Sequence, residues 1–343
     1  MQALLVREWT TFDRLALSEV EAPVLGPADV RIRIQAAGVS FATSLVVQGK
    51  YQRKPPLPFV PGTEVAGIVS EVGSAARRFK IGDRVCAVLD WGGLADETTA
   101  REVNVFAIPG SLSFPRAIAF TNSYATSAAA LSWPHLLRVE RGQWLLVHGA
   151  SGGVGIAAVE IGKILGATVI ATAGSAAKLA VARAHGADHL INYREQDFRE
   201  QVLALTDGRG VDAVYDPVGG EVFMQSLRCM APEARIMPVG FAGGEIAQIP
   251  ANILLVKNLT VCGLNMGLYY GWSPNDMRYV YEHKVRGLMQ QLFDWCEAGR
   301  INPVVDTVYP LARVHAAMQD VLARRAIGRV AVVMNEEAQR LGC

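Results

Sequence analysis

The sequence predicts an α/β protein with a doubly wound parallel sheet in its middle and a β-rich, barrel-like unit ahead of it. Three observations carry that prediction. Residues 1 to about 120 read as short strands punctuated by Gly, Pro and Asp. From Gln143 the pattern becomes a regular alternation of strand and helix. At that spacing the connections are right-handed βαβ units and the sheet is covered on both faces. A run of glycines lies between the first strand of that series and its first helix.

In the first part, MQALLV, DVRIRIQAAGVS, EVAGIVSEVG and DRVCAV alternate or run apolar, as strands with buried faces do. PRAIAFTNSYATSAAALSW is Ala-rich and helical in character. QWLLVHGA is a strand, and GVGIAAVEIGKILG is a helix that ends on Gly166 as its C-cap. TVIATAG, HLINY, VDAVYDPVG and ARIMPVGF follow as strands; AAKLAVARAHG, DFREQVLALTDG and EVFMQSLRCM are the helices between them. NLTVCGLN (258–265) predicts one further strand. DMRYVYEHKVRGLMQQLFDWCEAG is a long helical pattern, followed by VYPLARVHAAMQDVLAR and a last strand, GRVAVVM.

Composition narrows the function classes. Apolar residues make up 51% of the chain and charged residues 19%, enough for a substantial core and inconsistent with disorder. A formal net charge of +1 gives no reason to expect nucleic acid or an anionic membrane as the main partner. Arg7 and Glu8 follow directly on Met1 to Val6, so no leader is expected. The apolar stretch from Trp144 to Ile170 is broken by Gly, His, Glu and Lys, so no transmembrane helix is expected. Cys86, Cys229, Cys262, Cys296 and Cys343 are odd in number and scattered, against both a disulfide framework and a structural zinc site. A reducing, cytoplasmic setting fits.

The glycine turn is the strongest chemical signal. LLVHGASGGVGIAAV reads Ala150-x-Gly152-x-x-Gly155, with Ser151, Gly153 and Val154 between. Glycines let a backbone approach a pyrophosphate closely, and the helix N-terminus offers unpaired N–H groups there. Ala150 replaces the first glycine of the usual fingerprint, but the βαβ series behind it supplies the required context. Gly149-Ala150-Ser151-Gly152-Gly153 also satisfies the nucleophile elbow of a hydrolase, with Asp216 and His283 or His315 following in chain order. A hydrolase has no need of the continuing Val154-Gly155 or of a barrel. About 20 residues on, where an NAD site places an acid, the chain reads ATAGSAAK. Gly174, Ser175 and Lys178 suit a 2′-phosphate, and Tyr193 with Arg194 ends the next strand where it can close that pocket. NADPH is therefore expected over NADH. At the carboxyl ends of later strands, Pro217 and Val218, then Gly240, Phe241 and Ala242, are expected to rim the cofactor.

Together AAGVSFATSLVVQGKY, PFVPGTEVAGIVSEVG, GDRV, GGLADE, VHGASGGVGIAAVEIGKILGA, ATAGSAAK, GADHLINY, VDAVYDPVGG and GRVAVVM resemble the zinc-independent quinone oxidoreductases of the medium-chain dehydrogenase/reductase superfamily. The resemblance covers essentially the whole chain. It implies a GroES-like catalytic domain from residues 1–122 and 266–343, with a Rossmann domain, 123–265, inserted between. Zinc-dependent relatives carry Cys at the position of Ser40, His at that of Thr63 and a further Cys near Asn122, so no metal is expected. The resemblance also places Ser40, Tyr51 and Asn122 at the reacting end, and Thr126 on the nicotinamide side. Asn265, after the last sheet strand, is a further expected cofactor contact; Arg329, before the final strand, is another, with a plain surface arginine as the competing reading.

Without a Lewis acid, hydride transfer suits an acceptor that is already electron-poor, a quinone or an α,β-unsaturated carbonyl. Tyr51 is the candidate for orienting that carbonyl or passing a proton; a half-buried structural tyrosine is the competing reading, and solvent can supply the proton. An enoyl or acrylyl thioester reductase is an alternative, for which Arg53 and Lys54 are the available basic residues. A non-catalytic NADPH-binding protein is another. The apolar segment 253–264 would be an open sheet edge, which predicts a homodimer that pairs it. Glu64, at the mouth of an apolar strand, needs a partner. A buried hydrogen-bonding role is expected for it, with proton relay as the alternative.

Overall fold

The computed structural model describes residues 1–334; Cys343 lies outside that range. The described residues form two compact units: Met1–Asn122, Met266–Glu297 and 303–334 make the first, and Ser123–Asn265 with Ala298–Asn302 the second. The short segment 298–302 thus packs with the second unit, where the sequence reading gives it to the first.

The first unit is built on a seven-stranded sheet. Along its main path Val305–Pro310, Arg329–Val333, Asp29–Val39, Glu64–Val72, Arg84–Val88 and Val105–Ala107 are neighbours, and Glu97–Arg101 pairs with Asp29–Val39 off that path. Val305–Pro310 runs parallel to Arg329–Val333; the other pairs are antiparallel. Asp29–Val39 is the organising strand. Val30, Ile32 and Ile34 are buried at a spacing of two while Arg31 and Arg33 leave by the other face, as a pleated strand requires. Val65, Val69, Val85, Val330 and Val332 join them in one apolar core.

The second unit is a six-stranded, all-parallel sheet in the order His189–Asn192, Thr168–Ala173, Trp144–Val147, Val211–Asp216, Met230–Pro238, Thr260–Val261. Strand order reverses beside Trp144–Val147, the first in sequence. The carboxyl end of such a strand is where open α/β sheets bind ligands. Leu145, Leu146, Val147, Val169 and Ile170 are fully buried, as strands covered on both faces demand.

Two expected elements differ. Most of the apolar run 253–264 is not strand: Ala251–Lys257 is a helix ending on Asn258 in the left-handed region (φ 54°), and only Thr260–Val261 pairs with the sheet. Ile253 and Leu254 turn inward while Leu255 and Val256 stay 78% and 77% exposed. The helix expected from Asp276 begins at Glu282. Asp276 Oδ1 accepts both the backbone N–H and Nε of Arg278, a local turn that competes with helix. Among the described residues no helix is long and apolar enough to cross a membrane.

Candidate active site

In the second unit the glycine turn follows strand Trp144–Val147 directly. Gly149 takes φ +55°, so the left-handed residue lies one position before Ala150. That explains why alanine is accepted there: Ala150 is buried and its N–H bonds Thr172 O at 3.1 Å. Gly152 caps the helix Gly153–Leu165, which ends at Gly166 in the left-handed region. Gly155 has no freedom to be anything larger. A Cβ on it would run into Gly149 O and come within 2.8 Å of Ala150 Cα. Close packing of helix on turn thus leaves the first N–H groups of the helix pointing out of the turn, the arrangement that binds a pyrophosphate. Ser127, which sequence reasoning passed over, braces it: its Oγ donates to Val154 O at 2.9 Å and lies 2.8 Å from Tyr215 Oη. Thr126, beside it on helix Ala125–Ser132, is buried.

The neighbouring strand ends are laced to this turn. Asp216 is fully buried and accepts from Val218 N at 2.8 Å and Gly219 N at 3.1 Å, which bends Pro217 and Val218 outward. Burial raises its pKa, opposed by those two backbone bonds. Pro217 Cγ lies 3.4 Å from where a Gly149 Cβ would stand, and Ala242 N donates to Pro217 O at 3.0 Å. Gly240, Phe241 and Ala242 thereby share the rim with Pro217 and Val218. Asn265 is exposed on the chain leaving the edge strand.

Gly174 stands beneath Tyr193 and Arg194. A Cβ at this position would lie 2.7 Å from Tyr193 Oη and 3.1 Å from Arg194 Nε. Ser175 caps the helix Ala176–Ala184, its Oγ accepting Lys178 N at 3.4 Å. Gly174, Ser175, Tyr193 and Arg194 therefore stand at two adjacent strand ends, and Lys178 lies in the first turn of the helix that Ser175 caps.

Two of the residues named for the hydrolase alternative are engaged elsewhere. Asp216 is committed to its own turn, and His315 Nε2 bonds Leu15 O at 2.9 Å. His148 is structural: its Nδ1 and Nε2 lie 2.9 Å from Thr172 Oγ1 and Ser226 Oγ, and burial pushes its pKa down to about 3. His185 and His189 do not share a face. Gly186 breaks the chain between them at φ +104°, His185 bonds Glu160 at 2.7 Å, and His189 stacks on Trp144.

In the first unit, Ser40 caps the helix Phe41–Val47, its Oγ taking Thr43 N at 3.3 Å and lying 3.1 Å from Thr43 Oγ1. Tyr51 is half-buried just beyond that helix; burial, and then the charge of Glu64, raise its pKa. Glu64 itself is 2% exposed and fully engaged. Its Oε1 accepts Asn122 Nδ2 at 2.6 Å and its Oε2 accepts Arg329 Nη2. Topology explains the pair. Glu64 opens one flanking strand of Asp29–Val39 and Arg329 opens the other, so their side chains meet across the strand between them. The crossing point is Gly38, where a Cβ would lie 2.7 Å from Glu64 Oε2 and 2.8 Å from Arg329 Nη2. Arg329, expected at the cofactor, pairs with Glu64 within this unit. Nothing in the sequence joins residues 38, 64, 122 and 329; only strand register does.

Arg53 is more than a loose surface charge. It bonds Asp90 at 2.8 Å, and its guanidinium lies 5.3 Å from the Trp91 ring centre and 5.9 Å from that of Trp272. At and near the positions where zinc-dependent relatives hold their ligands, Ser40 caps a helix and Asn122 donates to Glu64, hydroxyl and amide groups that are poor ligands for Zn²⁺. Among the described residues no three His, Cys, Asp or Glu side chains gather as a metal-binding group.

Comparison with known proteins gives the same architecture. A family model described as "Alcohol dehydrogenase GroES-like domain" matches residues 26–130, and one described as "Zinc-binding dehydrogenase" matches residues 153–284. The chain is 36% identical over 317 residues to quinone oxidoreductase-like protein 2 of Rattus norvegicus, covering 92% of this chain and 88% of that protein. The structure of Escherichia coli quinone oxidoreductase complexed with NADPH superposes with a TM-score of 0.87 at 27% identity, over 97% of this chain and 100% of that one. A 2-haloacrylate reductase structure superposes with a TM-score of 0.81 at 30% identity, over 97% of this chain and 99% of that one. The chain belongs to the quinone oxidoreductase family of the medium-chain dehydrogenase/reductase superfamily.

Proposed function

We propose that the chain is an NADPH-dependent, zinc-independent reductase of quinones or α,β-unsaturated carbonyl compounds. The observation that carries this reading is the glycine turn joined to a phosphate corner without an acid. The Gly149–Gly155 turn, closed by the Gly155–Gly149 contact, suits a pyrophosphate. Gly174 and Ser175 under Tyr193 and Arg194, with Lys178 one helical turn on, suit a 2′-phosphate. The quinone oxidoreductase that superposes on this chain holds NADPH in its crystal structure, which supports the same assignment.

When bound, NADPH supplies a hydride. The residues in the first unit then have separate tasks. Tyr51 keeps its proton to high pH because burial and the Glu64 charge both disfavour the phenolate, so its hydroxyl serves as a hydrogen-bond donor to an acceptor oxygen. Ser40 and Asn122 are held by their own partners, and both offer polar groups to that acceptor. With no donor set for a Lewis acid among the described residues, an acceptor that is already electron-poor suits this site. The likeness to a 2-haloacrylate reductase, whose name points to an alkene conjugated with a carboxylate, favours activated alkenes alongside quinones. Arg53, clamped by Asp90 and two tryptophans, is a fixed cation that keeps an anionic acceptor or a thioester within this reading.

The short edge strand Thr260–Val261 and the exposed Leu255 and Val256 support a homodimer through residues 253–264, which sedimentation at micromolar concentration tests. The functional test is an NADPH-oxidation screen against ortho- and para-quinones, 2-alkenals and enoyl thioesters. Turnover of at least one class is expected. Tight NADPH binding without turnover of any would leave a non-catalytic binding protein.

A further inference from the structure

Glu64 is an unusual way to anchor an amide. A paired carboxylate in a protein interior is often no more stabilising than well-packed apolar side chains, so its presence asks for a reason beyond stability. A carboxylate only accepts hydrogen bonds, so the end of Asn122 that it meets has to be the amide nitrogen, and the contact is 2.6 Å. Arg329 holds the second oxygen and Gly38 leaves the room for it. Asn122 sits in a π-type turn, Phe120–Tyr124, a geometry found often at functional sites. The same turn is pinned next door, where Tyr270 Oη donates to Thr121 O at 2.7 Å and Asn104 Nδ2 donates to Tyr270 O at 3.0 Å.

We propose that Glu64 is a positioning residue for the reductase site: with Arg329 as its counter-ion across Gly38, it fixes which end of the Asn122 amide faces inward and so sets how Asn122 meets the reacting partners. This rests on the reading of the chain as a reductase with Asn122 in its site. The charged or titratable groups acting around Glu64 are Arg329, Tyr51 and Tyr270, with Cys86 behind Tyr270. Burial raises Tyr51, Tyr270 and Cys86, and arginine stays charged, so this surrounding set keeps its charge near neutrality.

That constancy makes a clean test. Asn122→Asp puts a second carboxylate against Glu64, and two carboxylates at that distance hold one proton between them. In this variant kcat for NADPH oxidation, with the acceptor the wild type reduces best, is expected to fall about tenfold more steeply than wild type between about pH 5 and pH 9, as that proton is lost. Glu64→Gln is expected to lower kcat about tenfold across the range, with the NADPH dissociation constant, read by nicotinamide fluorescence, changed less than about threefold. Combining Glu64→Gln with Asn122→Asp exchanges the amide and the carboxylate, so that the introduced amide donates to the introduced carboxylate. This double variant is expected to lose the added pH dependence. Gly38→Ala, which pushes on the bridge without touching Asn122, is expected to lower kcat in the same way, and answers the question should Asn122→Asp not fold. Variants that bind NADPH with wild-type kcat and a wild-type pH profile would overturn the positioning role while leaving the reductase reading intact. A wild-type chain that binds NADPH and reduces nothing would remove both.

Discussion

The two units place their chemistry in opposite ways. In the second, seven consecutive residues, Gly149 to Gly155, build the turn, and Gly149, Ala150, Gly152 and Gly155 hold it through contacts with one another or with the adjoining strand. In the first, the Glu64 bridge draws single residues from positions 38, 64, 122 and 329. The turn is a property of a short peptide in a βαβ context. The bridge is a property of strand register: Glu64 and Arg329 meet because their strands flank Asp29–Val39 and because the residue between them has no side chain. A site of the first kind tolerates a changed letter, as Ala150 shows. A site of the second kind depends on every member.

The sharpest way to break that contrast is to remove one member of the bridge. Arg329→Ala leaves a buried carboxylate without its counter-ion, which costs about 3–5 kcal/mol of stability. Glu64→Met with Arg329→Met removes both charges and is expected to recover most of that loss, because the cost lies in the unpaired charge. Denaturant unfolding of the three proteins decides it. An Arg329→Ala protein within about 1 kcal/mol of wild type would show the bridge to be dispensable.

The same contrast explains what was legible beforehand. The parallel sheet, the glycine turn, the Gly166 cap and the Ser175-capped turn after Gly174 are all encoded within short windows whose periodicity or turn chemistry is local. Segment 253–264 misled because apolarity alone does not separate strand from helix; the helix shows only in which side chains turn inward, Ile253 and Leu254 against Leu255 and Val256. The start of the last long helix misled because Asp276 closes a turn on Arg278 that no periodicity reveals. Glu64 was recognisable as a residue in need of a partner. Its partner was not, since Arg329 is 265 residues away and carries no local mark of the pairing. Ser127 was missed for the same reason: inside an Ala-rich helix it reads as one more small residue.

His148 tests the second unit through pH. Its folded-state pKa of about 3 lies below the ordinary 6.5, so the native ring stays neutral while the unfolded chain takes up a proton. The folded state therefore gains its full advantage above about pH 6.5 and loses it as the pH falls towards 3. Between pH 7 and pH 5 the loss attributable to this one ring is about 2 kcal/mol. Unfolding curves at the two pH values are expected to converge by that amount in His148→Gln. An identical pH dependence in the variant would mean that the ring is protonated, or exposed, in the native state.

The smallest effect separates the phosphate corner from the turn beside it. Lys178 is one helical turn from Gly174 and Ser175, and its own backbone N–H is already used by the Ser175 cap. Its ammonium is therefore the group that would meet a ligand, and a cation near a 2′-phosphate is useful only to the cofactor that carries one. Removing it in Lys178→Ala is expected to weaken NADPH binding about tenfold, or roughly 1.4 kcal/mol. NADH binding is expected to change by less than about twofold, because the glycine turn and its pyrophosphate contacts are untouched. Titration of both cofactors by fluorescence reads the two constants separately. Equal weakening of both would place Lys178 in the support of the fold rather than in cofactor choice. An unchanged NADPH constant would move the whole preference onto Ser175, Tyr193, Arg194 and the backbone at Gly174, whose geometry is set by strand ends and not by a long aliphatic side chain.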